Sequence, residues 1–227
     1  ATAEGYPYMN WYMREWAGVD PMTGRPLWFV VDKETGDRTV TGDYNKATRQ
    51  LLDAVPIPKV NGAIGTNFSW KGLSVNANFT FSTGAKIYNS ARAAALDRDA
   101  GRTSQPPMKL ADGWNRWQKP GDRATHPQLI AGGNNSADGE STRYLENGDY
   151  FKLKSLSVSY SLPEQWIKPL SLKSARISLG GENLFTVTKF SGIDPEVLFS
   201  SSYNGKASSG NSYPSVRRFT MGLNVTF

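Results

Sequence analysis

No cysteine occurs in the 227 residues, so a disulfide framework, a thiolate metal site and a cysteine nucleophile are all excluded. Histidine occurs once, as His126 next to Pro127. One imidazole without cysteine or a carboxylate cluster falls short of a metal-ligand set. Patterns of the GxSxG, Walker and dinucleotide-binding type are missing as well, so the sequence carries no enzymatic signature and calls for no cofactor. Positive charge is in excess, at a formal +6, but it is dispersed. "RR" at 217–218 is the only adjacent basic pair, and a nucleic-acid surface concentrates such charge in a patch or stripe.

Long hydrophobic runs are absent too. The longest is "LWFVV" at 27–31, far below the roughly 20 residues of a membrane-spanning helix. A mean hydropathy of −0.49 would ordinarily describe a water-soluble chain. That inference fails for a membrane β-barrel, whose strands are polar at every second position.

What is present is alternation. Six segments read as strands, near 5–16, 60–70, 72–83, 149–162, 174–188 and 215–227. In the third, Leu73, Val75, Ala77, Phe79 and Phe81 alternate with Ser74, Asn76, Asn78, Thr80 and Ser82. In the fourth, Leu156, Val158, Tyr160 and Leu162 alternate with serines, and the fifth contributes Ala175, Ile177 and Leu179. The chain closes on "RRFTMGLNVTF", with Phe219, Met221, Leu223, Val225 and Phe227 on one face. Side chains switch face at each residue of a strand. The polar faces carry Ser, Asn, Thr and Gly rather than the Lys and Glu usual on the outside of a soluble sandwich. Small uncharged residues suit a wet interior wall. Several segments keep the pattern for about ten residues, the length of a tilted membrane strand.

Connections give a second sign. Short turns join strands two to three and four to five, whereas 17–59, 84–148 and 189–213 are long. Short periplasmic turns alternating with long extracellular loops are the pattern of an outer-membrane barrel. Within the loops, "GVDPMTGRPLW" at 18–28 predicts a turn feeding a short strand, and "SARAAALDRDA" at 90–100 predicts a short helix. Trp114 and Trp117 stand in the longest loop. They could touch cargo or a capping partner, or simply pin the loop to its neighbours. Tyr6, Tyr8, Trp11, Tyr12 and Trp70 read either as interfacial girdle residues or as cross-strand packing.

The terminal strand with its final Phe227 resembles the assembly signal that ends bacterial outer-membrane barrels. More specific blocks follow in one order along the chain: "EWAGVDPMTGRPLW" (15–28), "PIPKVNGAIGTNFSWKGLSV" (56–75), "RYLENGDYFKLKSLSVSYSLP" (143–163), "GGENLFTVTKFSGIDPEV" (180–197) and "GLNVTF" (222–227). They resemble the C-terminal portion of a SusC/RagA-type TonB-dependent transporter. The resemblance implies an all-β fold, an antiparallel transmembrane β-barrel segment forming the last six of about 22 strands. It also implies that the plug domain is absent from this stretch. Leu73, Val75, Phe79, Phe81, Leu156, Val158, Tyr160, Ile177 and Leu179 would face lipid. The implied function is uptake of oligosaccharides or oligopeptides across the outer membrane. Its implied partners are the rest of the barrel with its plug, a SusD-like surface lipoprotein, the TonB system, and outer-membrane lipid and lipopolysaccharide. The alternative is a secreted carbohydrate-binding β-sandwich, which would seal its apolar residues between two sheets.

Overall fold

A computed structural model describes residues 4–7, 9–93, 110–130, 133, 135–196 and 215–227. Tyr8, most of the helix expected at 90–100 and the greater part of the loop after residue 196 lie outside the described residues. The described strands are β1 (Tyr12–Arg14), β2 (Trp16–Val19), β3 (Pro26–Val31), β4 (Arg38–Thr41), β5 (Arg49–Leu51), β6 (Val60–Trp70), β7 (Leu73–Thr83), β8 (Lys86–Tyr88), β9 (Leu145–Asn147), β10 (Tyr150–Ser161), β11 (Ser174–Thr188) and β12 (Arg218–Thr226). One short helix, α1 (Glu164–Ile167), lies between β10 and β11. The chain divides into two compact units.

The unit built on residues 58–85, 147–197 and 213–227 holds one antiparallel sheet in the order β12-β11-β10-β7-β6. Every strand therefore lies beside its neighbour in sequence among the long strands, the layout of an up-and-down meander. Strand lengths are 11, 11, 12, 15 and 9 residues for β6, β7, β10, β11 and β12. Lys71 and Gly72 join β6 to β7 with both residues at positive φ, 44° and 87°. That pairing of angles suits the right-handed twist of a two-residue hairpin.

Register fixes the two faces. Directly paired residues share a face, so one row runs Phe68–Val75–Val158–Leu179–Met221 and the next Trp70–Leu73–Tyr160–Ile177–Leu223. A third row is Ile64–Phe79–Leu153–Phe185. The opposite face reads Ser69–Ser74–Ser159–Ser178–Gly222 and Asn67–Asn76–Ser157–Gly180–Thr220. Five strands thus agree on one apolar and one polar surface. Phe79 and Phe151 stack at 5.3 Å between ring centroids on the apolar side.

Strand β10 carries a phase break. The register shifts between Leu153 and Ser155, where the sequence reads two polar residues in a row, Lys154 and Ser155. A β-bulge absorbs the extra residue, so alternation resumes at Leu156 with the faces intact. On β11 the matching irregularity passes through Asn183, at φ 53°, whose side-chain amide donates to the carbonyl of Val216 at 3.0 Å.

The other unit comprises residues 1–57, 86–146 and 198–212, nearly all of it sequence read above as outward loop. It is organised by short strands: β2-β3-β4 form one sheet, β1 pairs with β5, and β8 with β9. The turn and strand predicted at 18–28 appear as the β2–β3 hairpin. The first expected long strand does not. Strand β1 covers three residues and pairs with β5, outside the five-stranded sheet. Its aromatic richness serves packing instead: Trp11 is buried and its indole N–H donates to the carbonyl of Lys86 at 2.9 Å. Trp11 is therefore a core residue rather than part of an interfacial girdle.

Trp28 centres this core, fully buried, with edge-on contacts to Trp16 at 5.7 Å and Tyr44 at 5.3 Å. Guanidinium groups cover the outer rings, Arg14 over Tyr44 at 4.2 Å and Arg143 over Trp16 at 4.9 Å. Such contacts are stronger where water is excluded. Replacing Trp28 with Ala should destabilise this unit by about 3–5 kcal/mol, as for large aromatic deletions in cores. Urea-dependent proteolysis of the detergent-purified full-length protein would show earlier cleavage within residues 12–51, with strands β6, β7, β10, β11 and β12 unaffected.

Candidate functional site

Two features of the long sheet bear on function, an uncovered apolar face and a buried charge cluster on the polar one. The apolar residues are not sealed inside. Met221, Leu223 and Phe227 are 79%, 65% and 78% exposed, and Leu179 is 54% exposed. Phe219 and Val225 are exposed with them. Leu73, Val75, Phe79, Phe81, Leu156, Val158 and Tyr160 on the inner strands are half-buried, shielded by their neighbours along each row rather than by a second layer. Among the described residues of this unit the five-stranded sheet is the only one. An apolar surface spanning five strands is far more than a soluble monomer leaves in water. Trp70, on the row of Leu73 and Tyr160, is also exposed, at the hairpin end of the sheet.

Glycine at 62 shapes this face. An added Cβ there would lie 2.9 Å from the ring of Phe81, so the missing side chain lets the phenyl group lie across β6.

On the polar face, Lys152 occupies the row Ala63–Thr80–Lys152–Thr186, with its side chain 1% exposed. Its ammonium donates to Asp194 Oδ2 at 2.9 Å and to Glu196 Oε2 at 2.6 Å. The other oxygen of Glu196 accepts from Lys154 Nζ at 2.8 Å. The backbone N–H of Glu196 donates to Asp194 Oδ1 at 2.9 Å, closing a turn over Pro195. Burial alone would raise both carboxyl pKa values, but the hydrogen bonds from Lys152 outweigh it and hold Asp194 and Glu196 below their ordinary range. Two cations and two anions leave the cluster neutral. Nearer the β12 edge, Arg218 pairs with Glu182 at 3.4 Å, with both side chains exposed.

Neither Lys152 nor Lys154 stands out in the sequence, and an aspartate before a proline, as at Asp194–Pro195, has the composition of an ordinary turn. The signal available was two lysines at alternate positions of a strand face otherwise made of serine.

The loop tryptophans are held within their own unit. The indole N–H of Trp117 donates to the carbonyl of Pro21 at 2.8 Å. Its ring lies over Gly24, whose φ of +67° favours glycine and where an added Cβ would fall 2.4 Å from the indole. Trp114 stands between the guanidinium of Arg92 at 4.3 Å and the ring of His126 at 5.0 Å. His126 is buried, and Thr125 Oγ1 lies 2.9 Å from its Nδ1. Both indoles thus have packing roles. No cluster of three potential metal-ligating side chains occurs among the described residues.

No family model matches the chain. Curated TonB-dependent receptors of Formosa agariphila do align with it. Receptor P3 is 29% identical over 191 residues, 82% of this chain and 18% of the relative. Receptor P26 is 28% identical over 207 residues, 86% of this chain and 19% of the relative. The chain therefore spans about a fifth of the length of the curated relatives it matches. Among solved structures, the RagAB peptide transporter superposes with a TM-score of 0.74 at 31% identity, covering 98% of this chain and 23% of that one. The RagAB peptide importer in its closed-closed state gives 0.70 at 29% identity, with the same coverage. These relatives are receptors and transporters, not enzymes.

Folded-state carboxyl pKa values below the unfolded ones give stability that is present above the unfolded range, near pH 4, and lost as pH falls through the folded values. Asp194 and Glu196 should therefore keep residues 189–196 in place down to about pH 4 and release them below it. Amide exchange of that segment, followed from pH 7 to pH 3 with correction for the intrinsic rate, would show the loss of protection only at the acid end.

Proposed function

We propose that this chain, which belongs to the SusC/RagA-type TonB-dependent transporters, is the C-terminal part of the barrel of an outer-membrane nutrient importer. The observation that carries the reading is the exposed apolar face shared in register by five long strands, backed by a face of Ser, Asn, Thr and Gly. Acyl chains accept the first surface, and a water-filled bore with its plug accepts the second. No described helix is long and apolar enough to cross a membrane, which says nothing against crossing by strands.

In this arrangement β6, β7, β10, β11 and β12 belong to the last strands of a barrel of about 22. Leu73, Val75, Phe79, Phe81, Leu156, Val158, Tyr160, Ile177 and Leu179 face lipid. Phe219, Met221, Leu223, Val225 and Phe227 supply both lipid contact and the terminal signal for assembly. The short connections at 71–72 and 162–173 lie on the periplasmic side, and the long connections 84–148 and 189–213 are the extracellular ones. Uptake is then gated by a plug that answers to TonB, with a SusD-like lipoprotein over the mouth. Relatives described as a peptide transporter and a peptide importer favour oligopeptide over oligosaccharide as cargo. Trp114 and Trp117 reach cargo or the lipoprotein through whatever ring surface their packing leaves open, since both are half-buried. A secreted sandwich is disfavoured because Leu223 and its neighbours are exposed rather than enclosed.

Placing Arg at Leu156, in the middle of β10, should cost about 2–4 kcal/mol of barrel stability, as for basic residues on the lipid side near the midplane. Arg at the adjacent Ser157 should cost far less. Heat-modifiable migration of full-length protein from outer-membrane fractions reads both, and equal tolerance would show the faces wrongly assigned. A Phe227→Asp variant should appear at reduced level in the outer membrane with synthesis unchanged.

A further inference from the structure

We propose that Lys152 is a positioning residue that clasps the segment after β11 onto the polar face of the sheet, making residues 190–196 a fixed lip at the outer mouth of the bore. The placement of that lip rests on the proposed reading of the polar face as lumen.

The argument starts from the cost of the residue. A lysine whose side chain is 1% exposed stands on a strand face where its row companions are Ala63, Thr80 and Thr186. An ammonium so placed is tolerated only with charge partners and filled hydrogen-bond capacity. Both carboxylates that bind it come from the segment beyond β11 rather than from the strands beside it. They are 42 and 44 residues away in sequence and arrive together because Asp194 and Glu196 flank the buried Pro195. Lys154 supplies a second cation to Glu196. The side chain of Ser215 also helps hold the Asp194 carboxyl in its charged form. Phe190, buried at the start of the segment, adds an apolar hold. The groups facing the cluster are Lys152, Lys154, Asp194, Glu196 and the phenol of Tyr150, and their charges sum to zero near neutrality.

Lys152 lies two residues inside β10 at the end fed by the long connection. The clasp therefore acts at the rim, where a segment drawn across the polar face narrows the entrance. Removing it should free residues 189–196 without unpairing the strands.

The test uses full-length protein in lipid nanodiscs and hydrogen–deuterium exchange resolved by peptide. Lys152→Met should raise exchange over 189–196 by about tenfold or more, as for release of a locally closed segment, while β7, β10 and β11 stay protected. Lys152→Arg should restore slow exchange, which a lost packing contact would not explain. The double variant Asp194→Asn with Glu196→Gln lies outside the strands and should match Lys152→Met. It carries the test by itself if the lysine variant does not insert. Unchanged exchange over 189–196 in the inserted variants would overturn the proposal. Failure of the unaltered protein to enter the outer membrane would instead overturn the lumen reading on which the lip's location rests.

Discussion

Hydrocarbon offers no water to an unpaired N–H or C=O, so a strand that crosses it must satisfy every backbone group on its neighbours. On the proposed reading this constraint orders the five-stranded sheet: it explains why β6, β7, β10, β11 and β12 run long and pair in a meander, and why register is held residue by residue. A slip of one position would turn the whole apolar set of a strand to the polar side. The bulge at Lys154 is the place where sequence and register come closest to that failure. An extra polar residue enters β10 and the backbone absorbs it, leaving both faces continuous.

Charge on the polar face is uneven. The rows Ser69–Ser74–Ser159–Ser178–Gly222 and Asn67–Asn76–Ser157–Gly180–Thr220 are uncharged, and Arg176 stands beyond them at the short-turn end, donating to Ser161 Oγ at 3.2 Å. Lys152, Lys154, Glu182 and Arg218 all lie toward the end fed by the long connections. The charges there differ in weight. The exposed pair of Arg218 and Glu182 contributes little in water. The buried pairs of Lys152 would be costly to break, because each broken pair strands a charge. Strong electrostatics is thus concentrated where the loop meets the wall.

Much of the sheet was legible from alternation, because β7 and β12 present one polar and one apolar residue in turn over nine or more positions and β10 does so on either side of its bulge. The β2–β3 hairpin was legible from its Asp-Pro and Thr-Gly punctuation. Residues 5–16 misled, since aromatic side chains suit both a membrane strand and a packed core, and only tertiary contact separates the two. The core around Trp28 was hidden for a related reason: it is assembled from short strands far apart in sequence. Beyond the two lysines of β10, the clasp was not legible. Its partners meet only once β10 is in register and the chain beyond β11 folds back over it. The membrane reading rests on family resemblance, because such periodicity occurs in other half-wet sheets as well.

Trp117 lying over the turn at Gly24, with its N–H on Pro21, welds two stretches nearly a hundred residues apart into one body. Evolutionary drift in either stretch is then answerable to the other. A lengthened hairpin or a bulkier residue at the turn would evict the indole and unseat the second loop. Relatives that diverge here should accordingly exchange these two stretches as a matched set, and chimaeras that transplant one alone should misfold in this unit even where the long strands are sound.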